Sequence, residues 1–504
     1  MTDREAGEAA GTGCNAVIES SLRALVTVAF AEFASQRVLP PSIANRWIQA
    51  GRDYAGPDIM GLAEFKRCES LLDEHYPNRF GEPLAQKHAE FSLHYLLNFI
   101  EAAFRRCAES DNFDANDDGV TASILEMFDV LEAPEHSLAV VRAVSHVQTH
   151  DGGPLIIAGV EVVPETSRDD HDFLLGQCRR HVPGSGGAFN RELPFVFAHP
   201  HATLSVRSGT GTERDTFGTL RAASRQVDRF LLLLRLLTGT TADSHFEVQG
   251  PTTLVGPIHP TVYRYPHQES MPLVRRSAVL GGTFEAPLQA LGSMIDSLQV
   301  KRENMAAASF DVAIDRFTAS YEGDGLAIIV DLATALESIL IDSADGNDGI
   351  TSRLKHRAAA LLATQDDTVA NVFGDIGALY GLRSALVHGG NLSRTTLRNK
   401  VLGISTVTAK DWFGVAVAEA VDRMRDLVRR AILARICLAS GEKPLWPFNP
   451  KTSLEVTFAD DVRRAELRTA WRAVMGEIGA LKAADHLLAP AQPMHEDYGR
   501  PNDE

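Results

Sequence analysis

The chain has 504 residues, 44% of them hydrophobic and 23% charged, with a formal net charge of −17. That length suits two or three domains, each with its own core. The charge excludes a chain that coats nucleic acid by bulk electrostatics, but not a nuclease whose positive charge is confined to a cleft.

The five cysteines (Cys14, Cys68, Cys107, Cys178 and Cys437) are scattered, with no Cys-x-x-Cys pair. They fit a reducing, cytoplasmic setting and offer no zinc framework. Residues 1–13 are polar and acidic without an apolar h-region, so they are expected to be a disordered tail and not a secretory signal. Helices are expected from Asn15 to Ser35, from a Ser42 cap through Trp47, and from Glu90 to Ser110. The last has Phe91, Leu93, Tyr95, Leu96, Phe99, Ile100 and Phe104 on its apolar side. The acidic loop Asp111 to Gly119 precedes a further helix to Leu131. Asp114-Ala115-Asn116-Asp117-Asp118-Gly119 copies half of a calcium loop, but Leu125 stands where the bidentate Glu belongs, so a solvated loop is the better reading.

The texture changes after Gly152-Gly153-Pro154. Leu155 to Val163 reads as a strand, and Leu193 to Val206 as two strands broken at Pro200. Phe217 to Leu237 reads as a helix stopped by Gly239; its apolar run Phe230 to Leu237 is too short to span a bilayer and contains Arg235. Phe246-Glu247-Val248 and Thr252 to Tyr265 read as strands and turns. His199 and His201 have Pro200 wedged between their imidazoles, and His146 and His150 have helical spacing but no Glu companion of the metalloprotease kind. No metal or cofactor is therefore expected; a metal hydrolase using His199 or His201 is a third reading. The glycine clusters at Gly184 to Gly187 and Gly209 to Gly211 lack the Lys of a phosphate loop.

From Ala306 the pattern is helical: Ala306 to Tyr321, Gly325 to Ile341, Ile350 to Ala363, a helix from Val369 that ends at Gly389-Gly390, and Phe413 to Leu438. Five such helices fit an antiparallel bundle. Arg423, Arg425, Arg429, Arg430 and Arg435 crowd the fifth, and most are expected on its solvated face. A charged helix from Asp461 to Ala483 follows, and Ala489 to Glu504 is read as disordered. The expected fold class is α+β overall, an N-terminal mixed α/β region followed by a C-terminal all-α bundle. Its parts are a tail (1–13), an α+β region (14–300, as one domain or as two with a break near 152), a helical bundle (301–442), and a helix with a tail (443–504).

The fourth bundle helix carries the candidate chemistry. Val369, Val372, Phe373, Ile376, Leu379, Tyr380 and Val387 form its apolar stripe. Arg383 falls on that stripe, where a bundle core wants an aliphatic side chain, so the guanidinium needs an anionic partner or a task. His388 follows five positions later. The plain alternative makes His388 a C-terminal cation on the helix dipole and Arg383 half of a structural ion pair. The chemical reading gives a planar fork for phosphate and an imidazole that titrates near neutrality.

These residues resemble the Arg-x4-His signature of HEPN (higher eukaryote and prokaryote nucleotide-binding) domains. The wider stretch is similar to their ApeA-like branch: Ala335-Leu336-Glu337-Ser338-Ile339-Leu340, His356-Arg357-Ala358-Ala359-Ala360-Leu361-Leu362, and Leu379-Tyr380-Gly381-Leu382-Arg383-Ser384 with Val387-His388-Gly389. The likeness covers residues 300–440. It implies a HEPN-like bundle and a metal-independent endoribonuclease, with Arg383 and His388 as catalytic residues in a cleft shared by a homodimer. It also implies an antiphage-defence, abortive-infection or toxin-like role, with the N-terminal region sensing an unknown trigger. Glu337 is expected to pair with Arg357 or Arg383, Ser384 to orient His388, and Tyr380 and Arg357 to be structural supports. The alternative is a non-catalytic HEPN module that binds nucleotide or RNA, or that dimerises.

Overall fold

Runs of apolar residues three and four apart fold into helices at both ends of the chain, with a sheet between them. The computed structural model describes residues 3–35, 58–77, 91–107, 117–133, 136–164, 202–211, 216–256, 261–264, 276–300, 305–322, 327–341, 349–387, 393–440, 444–445 and 454–480. The chain is α+β, mostly helical, with a small antiparallel sheet. The expected helix at Ser42 to Trp47, the segment around His199 and His201, and residues 481–504 lie outside the described residues.

Helices α1 (Asp3–Ser35), α2 (Ala63–His75), α3 (Phe91–Cys107) and α4 (Asp117–Glu132) enclose a core of their own. Helix α1 takes in most of the polar stretch expected to be unordered; its Ala and Glu residues are strong helix formers. Phe30 stacks on Phe104 with ring centroids 3.9 Å apart. Val255 completes this core from the loop at 252–256, inside the sheet region. Two polar contacts tie the unit to the same loop: the Asn98 amide donates to the Gly256 carbonyl at 3.0 Å, and the Leu254 amide to Glu126 at 2.8 Å.

The strands are β1 (His136–Ser145), β2 (Val147–Thr149), β3 (Leu155–Ile157), β4 (Val160–Pro164), β5 (Ala202–Gly211), β6 (Asp243–Pro251), β7 (Thr261–Arg264) and β8 (Ala278–Leu280). Six form one sheet in the order β3-β4-β5-β1-β6-β7, and β2 pairs with β8 in parallel. Strand β1 was not legible in the pattern. Leu138, Val140 and Val144 face the main core, while Ala139, Val141 and Ala143 lie in a second cluster on the opposite face. Burial on both faces erases the polar–apolar alternation that marks a strand. The single strand expected over Leu155 to Val163 is a hairpin. Ala158 and Gly159 turn it with φ of 51° and 75°, the two positive values that a tight two-residue turn requires.

Helix α5 (Thr216–Thr238) packs on the sheet, and Gly239, at φ 65°, ends it as expected. Then come α6 (Glu285–Val300), α7 (Met305–Ala319), α8 (Ala327–Leu340), α9 (Ile350–Leu362), α10 (Val369–Val387), α11 (Arg394–Leu402), α12 (Phe413–Ala439), α13 (Leu454–Ala459) and α14 (Asp461–Glu477). The sequence pattern had not marked α6, α11 or α13. One continuous core runs from the sheet through α5 into α7–α12 and on to Trp471 of α14.

The largest correction concerns α12. Its five arginines do not line a solvated face; Arg423, Arg425, Arg429, Arg430 and Arg435 are between 1 and 7% exposed. The last carbonyls of a helix lack intrahelical donors and carry the negative end of its dipole. Four of the arginines meet that need on four different helices. Arg429 donates to Leu236 near the end of α5 at 3.0 Å, and Arg425 to the Ser320 carbonyl just past α7. Arg435 donates to Ser338 of α8 at 3.0 Å, and Arg430 to Leu362 of α9 at 3.2 Å. The fifth, Arg423, grips Asp367 with both Nη atoms, at 2.9 and 2.8 Å, and Asp375 with Nε at 2.7 Å.

Candidate functional site

Val372, Ile376, Leu379 and Leu382 bury one side of α10. Asp375 is buried on the same helix and locked from two directions. Arg423 binds it, and the backbone amide and hydroxyl of Ser405 donate to it at 2.8 and 2.6 Å. Helix α10 is therefore fixed in rotation two turns before Arg383.

Arg383 and Glu337 face each other between α10 and α8, each side chain 23% exposed. Their closest approach, Nη2 to Oε1, is 3.8 Å, an ion pair beyond hydrogen-bond reach. Both Glu337 Oε1 and Arg383 Nε are buried without a hydrogen-bond partner. The guanidinium leans over the Tyr380 ring, 5.5 Å from its centroid. Burial first, and then the hydrogen bond to Glu337, push the Tyr380 phenol up to about 12, so it is a neutral donor across the physiological range. Of the two partners expected for Glu337, Arg383 supplies the ion pair. Arg357 is buried and donates to the last carbonyl of α8, Leu340, at 2.7 Å. Ser384 is half-buried beside Arg383, while Leu386 and Val387 are exposed at the end of α10. His388, the other expected catalytic residue, lies outside the described residues.

Of the remaining candidates, His150 sits in an exposed turn with Nδ1 2.7 Å from Asp151. His146 is buried at the kink between β1 and β2, with φ 58°. Neither is on a helix, so the spacing of the two carries no ligand geometry. Among the described residues no group of three or more His, Cys, Asp or Glu side chains is placed to hold a metal ion.

Two lysines that the sequence pattern does not single out lie against α10. The virtual Cβ of Gly377 would lie 3.3 Å from Lys355 Nζ, and that of Gly381 2.6 Å from Lys400 Nζ. A signal for them was present: Gly374, Gly377 and Gly381 stand inside one helix, where each glycine costs about 1 kcal/mol against alanine. Such a cost calls for something that approaches the backbone closely.

The chain matches no protein-family model, no curated protein and no solved structure.

Proposed function

We propose that the chain is a metal-independent endoribonuclease of HEPN type, acting as a cytoplasmic homodimer in antiphage defence or as a toxin-like effector. A C-terminal bundle over 301–442 would carry the reaction and the region before it would answer a trigger. Among the described residues no helix is long and apolar enough to cross a membrane. The observation that carries the reading is the open ion pair of Arg383. A half-buried guanidinium that meets its carboxylate only at 3.8 Å keeps its Nη donors for a second anion, while Nε is buried out of reach. A phosphate fits that fork.

The chemistry follows from what RNA supplies. Its 2′-hydroxyl attacks the adjacent phosphorus, the bond to the 5′-oxygen breaks, and a cyclic phosphate and a free 5′-hydroxyl result. One group must take the 2′ proton, another must give one to the leaving oxygen, and a cation must hold the equatorial oxygens. Arg383 is the cation and His388 the proton carrier. One imidazole cannot do both jobs at once, and a two-fold partner supplies the second. Glu337 and Tyr380 hold Arg383 in place.

The test is RNA integrity after expression of wild type, Arg383→Ala and His388→Ala, followed by cleavage in EDTA with purified chains. Wild type is expected to cut, and each substitution to lower the rate at least about 100-fold, the scale of a lost acid–base or oxyanion contact. Cutting that survives both substitutions sinks the assignment. RNA binding without cutting supports the alternative, a binding module in which the Arg383–Glu337 pair is purely structural.

A further inference from the structure

Arg235 interrupts the apolar run of α5 and is only 5% exposed. Its Nε and Nη2 both donate to the Ala242 carbonyl, at 3.0 and 2.7 Å. The guanidinium lies over the Tyr321 ring, 4.0 Å from its centroid, and that of Arg425 lies over the same ring at 4.7 Å. Neither arginine has a carboxylate within ion-pair distance among the described residues. Burial pulls both below the ordinary arginine range. The third nitrogen of Arg235, Nη1, has no hydrogen-bond partner among the described residues, and it is not sealed in by protein.

It has a cavity to face. Arg235 lines a space of about 40 Å³ between α5, the start of β6 and the end of α7, room for about three water molecules. Ser244 and Thr318 line it too, and their hydroxyls make no hydrogen bond among the described residues. The acids of this cavity are placed differently. Asp228 binds Arg142 and, like Glu322, is exposed, so these two stand at the mouth. Asp243 is half-buried and accepts the Ser244 amide at 2.9 Å.

A desolvated guanidinium with an open donor, beside two unused hydroxyls, needs a buried acceptor. A carboxylate brings two acceptor oxygens and a single charge in three heavy atoms, which suits room for three waters. Phosphate is larger and would carry more charge past the acids. Those same acids favour a cation next to the carboxylate. We propose that this cavity binds a small α-amino acid. Its carboxylate sits on Arg235 Nη1, Ser244 and Thr318, and its ammonium stays at the mouth beside Asp228 and Glu322. The site joins α5 and the sheet to the first helix of the bundle, and it does not depend on the ribonuclease reading.

The experiment is equilibrium dialysis of the full chain against radiolabelled glycine, with acetate, methylamine and inorganic phosphate as competitors at constant ionic strength. One glycine per chain is expected to bind saturably. Acetate should compete less well than unlabelled glycine, and methylamine and phosphate hardly at all. Ser244→Ala and Thr318→Val should each weaken binding at least about tenfold, the scale of a hydrogen bond to a charged group. Arg235→Met should abolish it, and Glu322→Gln should weaken glycine but not acetate. Melting curves of each variant separate a lost site from a lost fold. The two hydroxyl substitutions leave every charge in place and decide the matter if Arg235→Met does not fold. Absence of saturable glycine binding overturns the site, as does binding that none of the substitutions alters. Phosphate that displaces glycine better than acetate does overturns the carboxylate assignment.

Discussion

Asp426 of α12 is enclosed by arginines. Arg429 donates to it at 2.8 Å and Arg430 lies 3.0 Å away. Burial alone would raise its carboxyl group. Arg430 and Arg429 together outweigh that and hold it at about 2. Asp367, bound by Arg423 and Arg430, is lowered in the same way against its own burial. A carboxylate whose folded value is depressed adds stability that is complete above its unfolded value, near 3.8, and disappears as pH falls toward 2. We therefore expect urea midpoints to fall steeply between pH 4 and pH 2. Asp426 contributes about 2 kcal/mol to that loss, since one pKa unit corresponds to about 1.4 kcal/mol. Asp426→Asn should be less stable at pH 6, because its arginines lose their counter-charge, and should show a shallower acid limb than wild type. Equal acid limbs would mean that the arginines do not tune this group. Asp422 shows the opposite balance: burial dominates, and despite Arg276 its carboxyl group is raised. One helix thus carries two neighbouring aspartates pushed in opposite directions, according to how many guanidinium groups surround each.

Among the elements, the sequence was most readable where one face of a helix meets a core and the other meets water. The helix expected over Ile350 to Ala363 is α9, Ile350–Leu362, and that expected over Gly325 to Ile341 is α8, Ala327–Leu340. Glu337 and Arg383 could be paired for the same reason: each interrupts an apolar stripe, and a charge in such a place needs a partner. Where both faces are buried, periodicity fails. That hid β1, and it misassigned the arginines of α12, since a charged residue read one at a time signals solvent and not a carbonyl at the end of another helix. The β3–β4 hairpin was hidden by its turn, Ala158-Gly159, in which alanine holds a left-handed conformation that its Cβ disfavours. Gln226 of α5 donates to the Ala158 carbonyl at 3.3 Å and would meet a Cβ at Gly159 at 2.7 Å. Gly159→Ala therefore combines a second left-handed alanine, about 1–2 kcal/mol, with a clash against the side chain that pins the turn. Thermal melts should show it destabilised by at least that amount, and Gly159→Asn, whose side chain tolerates the left-handed region, should lose less. Equal losses in the two variants would assign the whole effect to the clash.

Across the whole molecule, α12 joins what the sequence divides. Its apolar residues pack in the same core as Val140 and Leu204 of the sheet and Leu234 of α5. Its polar groups reach the same way: Arg276, ahead of β8, binds Asp422 at 2.6 Å, and Arg429 caps α5 at Leu236. A bundle cut out at 301–442 keeps α7–α12 but loses α5, α6, the sheet and α14. Asp422 would then lose Arg276, and the C-terminal end of α9 would lose Arg468, Trp471 and Arg472, which donate to its last carbonyls. Removing one partner of a buried pair costs about 3–5 kcal/mol, a large part of the 5–15 kcal/mol that holds a domain folded. Fragment 301–442 is therefore expected to be insoluble, or to lack cooperative unfolding. Fragment 134–480 keeps every one of these contacts and should melt in a single transition without α1–α4. Among the described residues it meets their core only at Leu254 and Val255 and at the Gly256 and Leu254 hydrogen bonds. Circular dichroism melts and limited proteolysis of the two fragments decide the matter. If 301–442 alone unfolds cooperatively near the full-length midpoint, the sheet and α5 are accessories to the bundle and not part of its core. Signals from the N-terminal region would then have to cross a weak junction to reach Arg383. If only 134–480 folds, any change that reaches the sheet is felt directly by α12, and through Arg423 and Asp375 by the helix that carries Arg383.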